Sequence, residues 1–319
     1  MTSTSVHAPR SADAPALSLG AVALTVADLA RSTGYYRAVI GLRVLEEAAG
    51  YAVLGADTPL VELHEEPGAA PAHPGHAGLY HLAILLPSRA DLGRLVSHLI
   101  AGHTPIQGAS DHLVSEAIYL QDPDGHGIEA YEDLDAASWS WWDGQVSMDT
   151  QAADIAGIVG AAGTDTAWRG MPARAVMGHV HLRVSDLNVA RDFYSGLLGL
   201  NVVADLSQHG ALFLSQGRYH YHFGLNVWQS RGGAAAQSGE ARLLRVQVDL
   251  PQDELERLHT RLVMAGLELT GYGEQAAPHG FTVTDPFGNL LRFGLKGRPT
   301  SQTLNHSSST SISVFSGSR

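Results

Sequence analysis

The sequence predicts an α+β fold built from four strand–helix–three-strand units in two homologous halves. Three observations predict it. Residues 26–44 (VADLARSTGYYRAVIGLRV) return at 184–202 (VSDLNVARDFYSGLLGLNV), 158 positions later, with V-x-D-L, Tyr36/Tyr194 and G-L-x-V in register. Residues 122–131 (DPDGHGIEAY) return as 285–294 (DPFGNLLRFG). Self-similarity at a long offset marks a duplicated supersecondary unit. Within each half the apolar period passes from that of a strand to that of a helix and back, twice. The halves span 17–133 and 176–295, each the size of an ordinary domain.

The elements follow in the same order in both halves. A short alternating strand (19–26; 177–184) runs into V-x-D-L, where Asp28 or Asp186 stands at an N-cap position. The helix behind it ends at Gly41 or Gly199. Three strands follow: LRVLEEA, YAVLGA and PLVELHEE in the first half, LNVVADL, GALFLSQ and RYHYHFGLNVW in the second. The order restarts with a strand (80–86; 243–249), a helix (89–101; 252–265) and further strands, the last entered through the tight D-P-x-G turn. Residues 134–175 link the halves and carry Trp139, Trp141, Trp142 and Trp168, so the linker is expected to pack on a domain surface. Residues 1–16 and the Ser/Thr-rich 296–319 read as disordered.

Composition excludes several functions. No run of eighteen apolar residues occurs in the 319, so no spanning helix and no membrane partner are expected. The first residues lack the apolar core of a secretory leader, which leads to the expectation of a cytoplasmic protein. Cysteine is absent, which removes disulfides, thiolate metal sites and cysteine nucleophiles. Thirty-two acidic against 20 basic residues, a formal charge of −12, argue against nucleic acid as a partner. Histidine is abundant at 17. Without thiolates, histidine and carboxylate are the side chains left for a transition metal.

The segments GLYHLAILLP, HLVSEAIYLQDPDGHGIEAY, MGHVHLRVSDL and YHYHFGLNVW give the chain its resemblance to the vicinal oxygen chelate superfamily. That family includes glyoxalase I, bleomycin-resistance proteins and type I extradiol ring-cleaving dioxygenases. The layout is most similar to two-domain bacterial catechol-2,3-dioxygenase-like proteins, and the resemblance covers about 17–295. It implies βαβββ units forming open, curled mixed sheets around a metal, with ligands on the first and last strands of the units. Carried over position by position, those places hold Ala21 and Glu62 in the first unit, His81 and Glu129 in the second, His179 and His222 in the third, Arg245 and Arg292 in the fourth. Two arginines cannot share a cup with a divalent cation, because neither can become a ligand. Pairing units two and three instead collects His81, Glu129, His179 and His222. Units one and four then hold a dead site in which Glu62 can meet a guanidinium. His181 lies two residues beyond His179 on the same strand face and is an alternative ligand.

Two histidines and a carboxylate leave metal positions open for substrate and O2, the arrangement of Fe(II) oxygenases; Mn(II) has similar preferences. The string His112-x5-Ile118-Tyr119-x2-Asp122-Pro123-x-Gly125-x3-Glu129 is similar to one in extradiol dioxygenases, departing from it only at Ser110. The resemblance implies that His112 is an acid/base. It implies that Tyr119 hydrogen-bonds a substrate oxygen, and that His222 stands beside the O2 position or serves as a fourth ligand. The implied activity is Fe(II)-dependent ring cleavage of a catechol- or hydroquinone-type small aromatic by O2. The rivals are a glyoxalase-like isomerase or thiol transferase with four Ni(II) or Zn(II) ligands, and a metal-free small-molecule binding protein. Homo-oligomerisation is left open, since exposed strand edges in such folds often pair.

Overall fold

A computed structural model of the chain describes residues 17–274 and 277–297. The segments read as disordered, 1–16 and 296–319, lie outside the described residues apart from Lys296 and Gly297. Unit one comprises β1 (Ser18–Val26), α1 (Leu29–Ala38), β2 (Arg43–Ala48), β3 (Tyr51–Gly55) and β4 (Pro59–Glu65). Unit two comprises β5 (Gly78–Leu85), α2 (Arg89–Ala101), β6 (Gly108–Asp111), β7 (Ser115–Gln121) and β8 (Gly127–Asp133). The linker adds β9 (Trp141–Trp142), β10 (Gln145–Val146), β11 (Gln151–Ala152) and α3 (Ile155–Ala161). Unit three has β12 (Val176–Arg183), α4 (Leu187–Arg191) continuing into a π-helical turn at 192–197, β13 (Asn201–Leu206), β14 (Ala211–Ser215) and β15 (Phe223–Asn226). Unit four has β16 (Leu243–Leu250), α5 (Gln252–Met264), β17 (Thr270–Glu274), β18 (Ala277–Thr284) and β19 (Leu290–Leu295).

The helix starts are capped as the motif requires. Asp28 accepts from the Arg31 amide, and Asp186 from the amides of Asn188 and Val189, which satisfies donors that the first turn leaves unpaired. Gly41 and Gly199 follow the helices with φ of 82° and 78°, a left-handed turn that costs glycine little.

The two sequence halves do not form separate sheets. One sheet runs β17-β18-β19-β16-β1-β4-β3-β2 and joins units one and four. The other runs β11-β6-β7-β8-β5-β12-β15-β14-β13 and joins units two and three. In each unit the first strand pairs parallel with the last. Units join through antiparallel first strands, β1 with β16 and β5 with β12. The cross-pairing inferred from charge is therefore the pairing of the sheets themselves.

Period 2 divides each central strand between two environments. Leu82 and Ile84, Ile128 and Ala130, and Val180 and Leu182 enter the large apolar cluster. Their neighbours His81, Glu129, His179 and His181 point to the opposite face. The matched spacing of the repeat also has a packing reason. The Tyr36 hydroxyl donates to buried Asp122 of the first D-P-x-G turn (3.1 Å), and Tyr194 to Asp285 of the second (2.8 Å). Each bond ties the first unit of a half to the turn that enters the last strand of the next unit. Parts of the linker pack inward, with Trp139 buried and Ile158 fully buried, while Trp142 is 84 % exposed. The linker does more as well: β11 extends the second sheet beside β6, covering an otherwise unpaired edge.

Candidate metal centre

β8, β5 and β12 are neighbours in the second sheet. They bring Glu129, His81 and His179 together, with relative exposures of 0, 6 and 0 %. The ligand-type atoms of all three lie within 4.8 Å of one another. His81 Nε2 is 2.9 Å from Glu129 Oε2, and His179 Nε2 is 3.1 Å from the same oxygen. Neither His81 Nε2 nor Glu129 Oε1 has a hydrogen-bond partner although both are buried. Leaving such atoms unpaired costs about 1–3 kcal/mol each, and a cation at their common focus removes that cost. The donor set therefore fits a divalent transition metal.

The electrostatics agree. Burial disfavours the carboxylate of Glu129, but the attraction of His179 and His81 and the His179 hydrogen bond outweigh it and hold the carboxyl well below its ordinary range. Burial pulls His179 down to about 4, with Glu129 opposing. Burial, with His81 and His179 nearby, also keeps His181 well below its usual value. Near neutral pH the centre offers a carboxylate and an unprotonated His179.

His222 is not where the sequence count placed it. Glu129 pairs with Ala83, two residues beyond the candidate ligand His81. The equivalent step beyond His179 reaches His181, whose partner is Gly224. A Cβ on Gly224 would lie 2.8 Å from the His181 ring, so His181 occupies the fourth corner and no side chain arises from the last strand. Residues 216–222 do not continue the strand, and the chain turns there. His222 Nδ1 meets Ser215 Oγ at 2.8 Å. Burial, with His220 and His179 adding to it, drives its pKa to about 3. Tyr221 faces the centre instead, with its hydroxyl 2.8 Å from His179 Nε2. The count missed Tyr221 because a local turn shifts the period-2 pattern by one residue. The alternative ligand His181 lies outside the 4.8 Å group.

His112 and Tyr119 do meet: His112 Nε2 is 2.6 Å from the Tyr119 hydroxyl. His112 Nδ1 is 2.8 Å from the Asp149 carbonyl. A carbonyl only accepts, so Nδ1 carries the proton and Nε2 accepts from the phenol. Tyr119 pairs with Glu129 across β7 and β8 and so shares its face. Burial, then Glu129, raises the Tyr119 pKa well above its ordinary value, keeping the hydroxyl protonated. Asp149 belongs to the linker, a segment without periodicity, so its part was not legible in the sequence.

Behind the centre, Tyr131 packs on the His179 ring at 4.8 Å between centroids. Gly178 makes room for it, since a Cβ there would fall 1.8 Å from the Tyr131 hydroxyl oxygen. Tyr131 bonds Tyr219 at 2.8 Å, and Tyr219 and His220 both bond Asp133, at 3.0 and 2.7 Å. This network fixes the wall against which His179 rests. In the other sheet, the Arg245 guanidinium pairs with the buried carboxylate of Glu62. Burial raises the Glu62 pKa, but His64 and Arg245 outweigh that and lower it. That cup is closed by an ion pair.

The His81–Glu129–His179 group opens on a cavity of about 940 Å³ whose lining includes Tyr80, His81, His112, Tyr119, His181 and Tyr221. The Glyoxalase/Bleomycin resistance protein/Dioxygenase superfamily model matches residues 18–130 and 176–293. A Bacillus subtilis (strain 168) protein named catechol-2,3-dioxygenase is 40% identical over 273 residues, 84% of this chain and 93% of that protein. A solved structure of a Bacillus subtilis subsp. subtilis str. 168 protein, provisionally described as a dioxygenase, has a TM-score of 0.58 at 12% identity, covering 88% of this chain and 86% of that one. Glyoxalase I from Zea mays has a TM-score of 0.52 at 17% identity, covering 88% and 92%. The two structures share the fold with this chain. With both repeats matched and a relative this similar over most of its length, the chain belongs to the glyoxalase, bleomycin resistance protein and dioxygenase superfamily.

Proposed function

We propose that the protein is an Fe(II)-dependent extradiol dioxygenase that cleaves a catechol- or hydroquinone-type ring with O2. One observation carries the reading: a buried His81–Glu129–His179 group beside a polarised His112–Tyr119 pair, in one cavity, with Gly224 rather than a ligand at the last-strand position of unit three. The 40% identical relative named catechol-2,3-dioxygenase supports it. His81, Glu129 and His179 would hold the ion, which supplies the one-electron chemistry that lets O2 react with an aromatic diol. The ring of the diol sits in the cavity among Tyr80, His181 and Phe213. Tyr119 donates its hydroxyl proton to His112 Nε2 as it takes the proton of a ring hydroxyl, and the same pair returns that proton to the ring-opened product. Tyr221, beside His179 Nε2, donates a hydrogen bond to charge that develops next to the ion. The role that the family resemblance implies for His222 passes to Tyr221.

The four-ligand isomerase reading needs a ligand from the last strand of unit three. Gly224 stands there, and His222 bonds Ser215, so the geometry favours the dioxygenase. The test is anaerobic loading with Fe(II), followed by O2 uptake and appearance of a yellow ring-opened product from catechol. Stoichiometric metal without O2 uptake across catechols and hydroquinones overturns the reading. Tyr221→Phe is expected to retain the metal and lower kcat about 10²-fold, the value of one hydrogen bond to a developing charge. His222→Asn is expected to leave kcat within about threefold; a deep loss there would restore His222 to the chemistry.

A further inference from the structure

β12 sends His179, His181 and Arg183 to the same face in succession, two residues apart. His179 belongs to the metal centre, and Arg183 stands four residues away, roughly 13 Å along the strand. Arg183 lines the same cavity and is 9 % exposed. Its guanidinium lies over the Tyr80 ring, 5.6 Å from the centroid. Its Nε is buried without a hydrogen-bond partner, and among the described residues no carboxylate pairs with it. Burial lowers its pKa from the ordinary value, opposed by the Tyr80 phenol. Asn226, opposite Arg183 in the parallel register, is also buried, and its Nδ2 has no partner. Two buried donors side by side without an acceptor are costly. An oxyanion entering from the cavity would pair with Arg183. Beside this end the Tyr80, His181 and Trp228 rings pack on one another, with centroids 5.0–5.4 Å apart, and give the cavity an aromatic wall.

We propose that Arg183, over Tyr80, is the acid-binding end of the pocket, so that the preferred substrate is an aromatic diol bearing a carboxylate on a short side chain. The diol meets the metal centre, the ring lies against the aromatic wall, and the carboxylate pairs with Arg183. This rests on reading the cavity as the diol site. Arg183 is a specificity residue in this scheme and takes no part in proton transfer.

The experiment compares 3-(3,4-dihydroxyphenyl)propionate with its uncharged primary amide. Binding to the Fe(II)-loaded protein is measured anaerobically by calorimetry, and turnover by O2 uptake. The wild type is expected to bind the acid about 10–100-fold more tightly than the amide, the value of a charge-assisted hydrogen bond. Arg183→Gln is expected to erase that ratio, and Arg183→Lys to restore part of it. Equal binding of acid and amide by the wild type overturns the proposal, as does a ratio unchanged in Arg183→Gln. Should Arg183→Gln fail to fold, the wild-type ratio and Arg183→Lys still decide. Absence of O2 uptake with every diol would defeat the dioxygenase reading, while the acid-to-amide ratio in binding would still judge the acid site.

Discussion

Glu129→Gln and His179→Ala are each expected to leave the protein folded, strip it of tightly bound metal and reduce ring cleavage by well over 100-fold. Residues that merely hydrogen-bond a metal ligand are worth about 10–100-fold, so a ligand itself must cost more. The two imidazoles and the carboxylate meet at one focus, and removing one leaves too few donors to outcompete water. Metal content by elemental analysis after anaerobic loading, with circular dichroism as the folding control, checks this. Retention of one metal per chain in both variants would show that the ion sits elsewhere. Glu62→Gln, in the cup closed by Arg245, is the matched control and is expected to leave metal content at the wild-type level.

His112→Ala is expected to keep the metal and lower kcat about 10²–10⁴-fold, the range for loss of a positioned general base. The expectation follows from the tautomer. The Asp149 carbonyl holds the proton on Nδ1, so the Nε2 lone pair is directed to Tyr119 and through it to the cavity. Tyr119→Phe should reproduce most of this loss, since the relay passes through its hydroxyl. The two substitutions together should cost little more than either alone, because groups that act as one unit are strongly non-additive. A stopped-flow measurement of a single turnover separates this from slow product release. Unaltered single-turnover rates in His112→Ala would place the proton transfer on another group.

Much of this protein is legible in short stretches of its sequence. V-x-D-L announces the N-caps that Asp28 and Asp186 make, because capping is decided within one turn of chain. The helices over 89–101 and 252–264 and the strands around them follow from local periodicity. Glu129, His81 and His179 are named by carrying the family's ligand positions onto the repeated strands, and opposite charge matches Glu62 with a guanidinium, which the structure shows to be that of Arg245. His222 shows where that reasoning ends. One irregular turn after β14 changes which side chain reaches the centre, and period-2 counting carries an error of one residue to the opposite face.

Sequence by itself determined the units and their order, because these depend on local pattern, while the candidate ligands came from the family resemblance and the pairing of units from charge at the matched positions. Tertiary structure decided that each sheet joins a unit from each half, that Tyr221 stands beside His179, that the linker carbonyl of Asp149 sets the His112 tautomer, and that Arg183 is buried with no carboxylate paired to it among the described residues. The reason is physical: these are contacts between strands and loops far apart in the chain, whose register and close approach are set by packing of the whole core rather than by any run of neighbouring residues.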